Sequence, residues 1–128
     1  MTTVEFREVK SQEETQISAY GGGGFRIGER RSKGSILITP KGYYPWAAAD
    51  IKAAALDNLR QITAQAAEID LLLIGTGENM AFLNKEVRRA LEGLNIAVDV
   101  MATGAAARTY NVLLLEGRKV AAALIAVE

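Results

Sequence analysis

The chain of 128 residues contains no cysteine and no histidine. Without cysteine there is no disulfide framework, no thiolate nucleophile and no Cys-ligated zinc site. Without histidine the chain lacks the side chain best suited to proton transfer near neutral pH, and the commonest metal ligand. Most hydrolytic triads and most transition-metal sites are thereby excluded. Net charge is also lacking: 15 Lys+Arg balance 15 Asp+Glu, so no overall field draws in nucleic acid or an anionic bilayer. The longest apolar runs, Ile69–Ile74 (interrupted by Asp70) and Val120–Val127, fall far below the roughly 20 residues of a membrane-spanning helix. The amino end, Met1 to Glu14, has neither the apolar core of a secretory signal nor the acid-poor character of a transit peptide. These absences lead to the expectation of a cytoplasmic protein without direct membrane insertion.

What is present is globular composition, 49% hydrophobic and 23% charged, at a length suited to one core. Residues 1–15 show no periodicity and read as a flexible tail, with a single α/β domain over 16–128. Ile17, Ala19, Phe25, Ile27 and then Ser35–Thr39 alternate as short strands broken by glycine, which predicts an amino-terminal antiparallel meander. Gly28–Gly34 reads as its charged connection, and Pro40 and Pro45 as the end of sheet character. From residue 50 the period shifts to about 3.6. Ile51, Ala55, Leu59, Ile62 and Ala66 share one helical face, with Asp50 as N-cap. Leu71–Ile74 is apolar on both faces, as a strand covered on both sides requires. A second helix over Met80–Glu92 carries a stripe from Met80 through Leu83, Val87 and Leu91 to Leu94, with Gly93 as its left-handed stop. A strand over Ile96–Met101, a third helix over Ala105–Glu116 closed by Gly117, and a strand over Val120–Val127 follow. This alternation predicts a three-layer α/β domain. Its central sheet is mostly parallel and flanked by helices, and the meander adds an extra layer.

Two glycine turns would then lie at the carboxyl ends of parallel strands, where such folds bind ligands. Gly75, Thr76 and Gly77 fit the first places of a dinucleotide-binding turn, but Met80 stands at the third glycine and Glu78 adds negative charge. A tight strand-to-helix turn needing small residues is the simpler reading. At the second turn Thr103 can cap the third helix and Gly104 leaves its amides open to an anion, with Arg108 and Asn111 close behind. Arg26, Arg30, Arg31 and Lys33 form a basic cluster interrupted by Glu29, which reads as a solvated hairpin rather than a nucleic-acid site. Tyr43, Tyr44 and Trp46 gather three of the eight aromatics in four positions and are candidate partner-binding anchors, Trp46 leaning to the core and the tyrosines to the surface. No carboxylate pair suggests acid–base work, so no catalytic residue, metal site or cofactor is expected.

The blocks Gly34–Pro40 with Trp46, Leu72–Gly77, Met101–Asn111 and Glu116–Ala122 together carry a resemblance. In this order they resemble a small family of uncharacterised bacterial and archaeal proteins that includes the mitochondrial assembly factor 3 of NADH:ubiquinone oxidoreductase (respiratory complex I). The resemblance implies a three-layer α/β domain, no catalytic residue to carry over, and a non-enzymatic role with protein partners such as an assembly intermediate of a membrane complex. Two functional readings stand at this point. One is a protein-binding accessory or assembly factor using Tyr43, Tyr44 and Trp46. The other is a small-ligand or nucleotide-binding domain using the turns at Gly75–Gly77 and Thr103–Gly104 with Arg108 and Asn111. Homo-oligomerisation stays open, since Val120–Val127 could be a central strand or a pairing edge.

Overall fold

The computed structural model describes residues 7–8 and 12–128. The strands are Arg7–Glu8 (β1), Ile17–Gly21 (β2), Gly24–Ile27 (β3), Arg30–Lys33 (β4), Ile36–Thr39 (β5), Gly42–Pro45 (β6), Leu71–Gly75 (β7), Ala97–Met101 (β8) and Val120–Leu124 (β9). The α-helices are Arg60–Ala64 (α1), Lys85–Gly93 (α2) and Thr103–Leu115 (α3). One sheet runs β1-β6-β5-β9-β7-β8 and a second runs β2-β3-β4. Strands β8, β7 and β9 are parallel neighbours, whereas β9·β5, β5·β6 and β6·β1 are antiparallel. The expected mostly parallel sheet is therefore a mixed one. Its antiparallel half comes from Ile36–Thr39, which joins β9 rather than the meander, and from Gly42–Pro45, where Pro45 sits at the strand's end and needs no inner amide. The meander's third strand is instead the charged segment Arg30–Lys33. The all-apolar β9 lies between β5 and β7, so it is central and not an edge.

The layering follows from chirality. From β7 to β8 the chain steps one way through α2, and from β8 to β9 it steps back past β7 through α3. Crossovers of one hand then place the two helices on opposite faces. On one face Leu37, Leu72, Ile74, Ala121 and Ala123 pack with Trp46, Leu59, Ile62, Val87 and Leu91. On the other, Ile36, Ile38, Leu73, Ala122 and Leu124 pack with Ala106, Ala107, Tyr110 and Leu114 of α3. The meander's Ile17, Phe25 and Ile27 join that second cluster. It thus lies beside α3 rather than as a separate layer. Of the expected tail, residues 1–6 and 9–11 lie outside the described residues. Arg7–Glu8 pairs with β6, and Gln12–Thr15 forms a 3₁₀ turn that buries Thr15.

The helix expected from residue 50 is broken into 3₁₀ turns at Ile51–Ala53 and Leu56–Asn58, the short α1, and a further 3₁₀ turn at Ala66–Glu68. Asp50 does cap the first, accepting from Lys52 N at 2.9 Å. The break has a local cause. The Asn58 carboxamide accepts from Ala55 N (3.1 Å) and donates to Ala53 O (2.8 Å), offering the backbone partners that a helix would otherwise supply. Ile51, Leu59 and Ile62 still reach the core. Helix α2 starts later than expected because Asn84 caps it, accepting from Glu86 N and Val87 N. Met80 and Leu94, expected on its buried stripe, are exposed, and the left-handed residue after it is Asn95 (φ 65) rather than Gly93. Helix α3 begins at Thr103, two residues before the expected Ala105, and ends before Gly117 (φ 80), the glycine expected to close it.

Tyr110 is nearly fully buried in α3, and burial pushes its phenol well above the ordinary value of 10.0, a side-chain hydrogen bond with Thr15 opposing the shift. The folded state therefore keeps this proton where the unfolded chain loses it. Stability from this group is complete below about pH 10 and falls as pH rises beyond it, by about 1.4 kcal/mol per pH unit for one proton. Tyr110→Phe should be less stable at neutral pH for loss of the hydroxyl's bond. Urea titrations at successive pH values above 10 should show its deficit against the wild type shrinking at that slope. A constant deficit would mean the phenol ionises in the folded state.

Candidate functional site

At the carboxyl end of the parallel strands, β7, β8 and β9 finish in register, Gly75 pairing with both Met101 and Leu124. The backbone ladder extends past them through Thr76 N to Met101 O (2.9 Å) and Ile125 N to Gly75 O (2.9 Å). Thr103 closes this end. Its backbone N donates to Gly77 O (2.9 Å), its hydroxyl accepts from Gly77 N (2.9 Å), and the same hydroxyl donates to Ile125 O (2.8 Å). Thr103 is 0% exposed. One threonine thus latches the ends of β7, α3 and β9 together. The expected cap is corrected: Ala102 holds the N-cap position without a side-chain bond, and Thr103 is spent on its neighbours.

The latch explains the glycines. A Cβ at Gly75 would stand 2.9 Å from Thr103 Cα, Thr103 Oγ1 and the Leu124 side chain, and Gly77 needs φ 111. Thr76 is buried, and its hydroxyl donates to Asn79 O (2.7 Å) while accepting from Ala81 N (3.0 Å). The Gly77 amide that a phosphate would need is already donated to Thr103. Gly75, Thr76, Gly77 and Thr103 are brought together, and their polar groups satisfy one another.

The remaining candidates of that set, Gly104, Arg108 and Asn111, lie along the first turns of α3, facing β2. Tyr20 Oη occupies the space beside Gly104, 2.5 Å from where a Cβ would stand, and Arg108 Nη1 donates to that hydroxyl at 3.1 Å. The Asn111 carboxamide pairs with Ile17 as a strand would, accepting from its N–H (2.8 Å) and donating to its C=O (2.7 Å). Between β2 and α3 a groove of about 350 Å³ is lined by Ile17, Ser18, Ala19, Tyr20, Ala107, Arg108 and Asn111. Arg108 is its one cation. Tyr20 was not legible as a site residue, since it reads as one more strand aromatic.

The aromatic cluster differs from expectation. Tyr43 and Tyr44 are each 8% exposed, in opposite core clusters, as alternation along β6 requires, so neither tyrosine is the surface anchor expected of it. Trp46, 4% exposed, joins the core, its Nε1 donating to Asn58 Oδ1 (3.0 Å). Tyr44 accepts from Gln65 Nε2 (3.2 Å) and borders a second cavity of about 460 Å³ with Asn58, Arg60 and Gln61. The exposed aromatic is elsewhere. Phe82 is 88% exposed and Met80 53%, on the loop that Thr76 anchors between β7 and α2. Phe82 falls out of phase with Leu83, Val87 and Leu91, and that phase was the available signal. Among the described residues no cluster of His, Cys, Asp or Glu could hold a metal ion, and no helix is long and apolar enough to cross a membrane.

The chain is similar to known proteins over nearly its whole length. An uncharacterized protein of Rhodobacter capsulatus is 41% identical over 109 residues, 85% of this chain and 82% of its own. NADH dehydrogenase (ubiquinone) 1 alpha subcomplex assembly factor 3 of Xenopus tropicalis is 32% identical over 124 residues, 97% of this chain and 68% of that protein. The crystal structure of an outer membrane protein from Bartonella henselae superposes with a TM-score of 0.86 at 39% identity, covering 93% of this chain and all of that one. The resemblance drawn from the sequence blocks holds, and with residues 17–125 matching the model described as "Protein of unknown function (DUF498/DUF598)", the chain belongs to that family.

Proposed function

We propose that the protein is a non-enzymatic, protein-binding accessory factor whose task lies in the assembly of NADH:ubiquinone oxidoreductase. The observation that carries this is the likeness over 97% of the chain to a protein named as an assembly factor of that complex. The inventory of side chains supports it, with no histidine, no cysteine and glycine turns whose polar groups are used internally. The binding surface of this reading is the loop carrying Met80 and Phe82. Aromatic side chains dominate binding energy at interfaces, and a loop held by its own hydrogen bonds loses little entropy on docking. The protein works beside the bilayer from the cytoplasmic face, although the Bartonella relative is described as an outer membrane protein.

The test is crosslinked capture from solubilised membranes of the native host, with the wild type and a Met80→Ser, Phe82→Ser double variant. The wild type is expected to retain subunits of the complex. The variant should lose about thirtyfold in affinity, as removal of a 2 kcal/mol anchor gives, with an unchanged melting temperature. Absence of those subunits from the wild-type capture would refute the assembly reading. Equal capture by the variant would refute the loop as its surface. The groove at Arg108 favours a second reading, a small anionic ligand held between β2 and α3. A thermal shift with nucleotides or small anions that disappears in Arg108→Ala would support it, and no shift across that panel counts against it.

A further inference from the structure

The second sheet ends at β4, and no described strand pairs with the outer side of β4. The phase of its hydrogen bonds can be read from the register. Gly34 N donates to Gly23 O at 2.7 Å, so that pair is hydrogen-bonded. In an antiparallel ladder bonded and non-bonded pairs alternate. Gly24·Lys33 and Arg26·Arg31 are therefore non-bonded pairs, and Phe25·Ser32 and Ile27·Arg30 are bonded ones. The two-residue turn at Gly28–Glu29, with Gly28 at φ 58, demands the same phase. Arg31 and Lys33 consequently turn their backbone N–H and C=O groups toward the open edge.

The side chains along that edge are cationic. Phe25 and Ile27 point into the core, which places Arg26, Arg31 and Lys33 together on the outer face. Arg26 stands directly across from Arg31, an opposition of like charges that destabilises a strand pair. Arg31 turns its guanidinium to Gly21 O (2.9 Å) and Gly22 O (3.2 Å), and among the described residues no carboxylate forms an ion pair with any of the three. Cations on an edge discourage pairing with a second copy of the chain, since two such edges would oppose Arg and Lys to Arg and Lys. They favour an incoming strand of the opposite charge. RNA or an anionic bilayer could meet the cations but could not use the outward backbone groups.

We propose that β4 accepts, as a fourth strand, an extended acidic peptide segment with carboxylates at alternate positions opposite Arg31 and Lys33. Backbone hydrogen bonds supply the affinity and the two cations set register and charge preference. This surface is distinct from the Met80–Phe82 loop and stands or falls separately from it.

The test uses the full chain, isotope-labelled, with a short peptide alternating Glu and Thr, and its Lys and Thr counterpart as control. On saturation with the acidic peptide, amide exchange at Arg31 and Lys33 is expected to slow about tenfold or more, while Ser32, already bonded to β3, changes little. An Arg26→Glu, Lys33→Glu double variant should bind the acidic peptide about tenfold more weakly or worse. If that variant fails to fold by its near-ultraviolet dichroism, Lys33→Gln alone should still give about a threefold loss. No binding, binding without slowed exchange at Arg31 and Lys33, an undiminished affinity in the folded variant, or tighter binding of phosphatidylglycerol vesicles or an RNA oligonucleotide would each overturn the proposal.

Discussion

Thr103→Val is expected to destabilise the protein by roughly 2–6 kcal/mol, a large part of the total stability of a domain this size. Valine preserves the shape of threonine and removes only the hydroxyl. That hydroxyl accepts from Gly77 N and donates to Ile125 O at a position with no solvent exposure. The substitution therefore leaves a buried donor and a buried acceptor unpaired, each at about 1–3 kcal/mol. The melting temperature should fall by about 4 °C for each kcal/mol lost. Thr103→Ser is the control, since it keeps both hydrogen bonds and loses one methyl, at about 1 kcal/mol. If the valine and serine variants melt together, the hydroxyl contributes nothing beyond packing and the closed state of this strand end has another cause. The outcome also bears on function, because a turn held this firmly cannot open its Gly77 amide to a phosphate without the same loss.

How much of this was legible depended on whether a residue's role is set by its near neighbours in sequence. The parallel half of the sheet could be read because Leu71–Ile74 and Val120–Leu124 are unbroken apolar runs, and α3 because it follows a strand and is closed by Gly117. β4 could not, because Arg30–Lys33 has no apolar member to alternate with its charges, and it becomes a strand only by pairing with β3. The broken helix around α1 escaped for a different reason. Its apolar spacing is helical, but Asn58 bonds Ala53 and Ala55 and takes the backbone out of the helix. At the site, the glycine turns were legible as turns, and their position at strand ends followed from the βαβ order. That Thr103 reaches back to Gly77 and forward to Ile125 was not, since both partners lie more than 20 residues away, at sequence separations of 26 and 22. Tyr43 and Tyr44 looked like loop aromatics because Pro40 and Pro45 bracket them. A prolyl residue at a strand end leaves the segment between free to pair, and pairing with β5 buried both rings.

Asn111→Leu is expected to cost about 2–4 kcal/mol and to loosen the meander from α3 before the main sheet unfolds. The Asn111 carboxamide makes two bonds to one residue, accepting from Ile17 N and donating to Ile17 O, so it acts as a single-residue strand against β2. Leucine keeps the branched heavy-atom skeleton, in a bulkier side chain, and offers neither bond, leaving both Ile17 groups part-buried and unpaired. Hydrogen exchange should show the Ile17 amide losing protection while Leu72 and Ala122 in the central sheet keep theirs. Asn111→Asp separates donor from acceptor. Its carboxylate still accepts from Ile17 N–H but opposes Ile17 C=O, so its deficit at neutral pH should approach that of the leucine variant. At acidic pH the carboxyl regains a proton and with it a donor, and the deficit against the wild type should shrink. Because Ile17, Phe25 and Ile27 share one cluster with α3, release of this anchor would expose their apolar side chains together. If instead the leucine variant keeps Ile17 protected, packing alone holds the meander in place. The carboxamide of Asn111 would then be free for a ligand in the groove beside Arg108, and the small-ligand reading would gain over the protein-binding one.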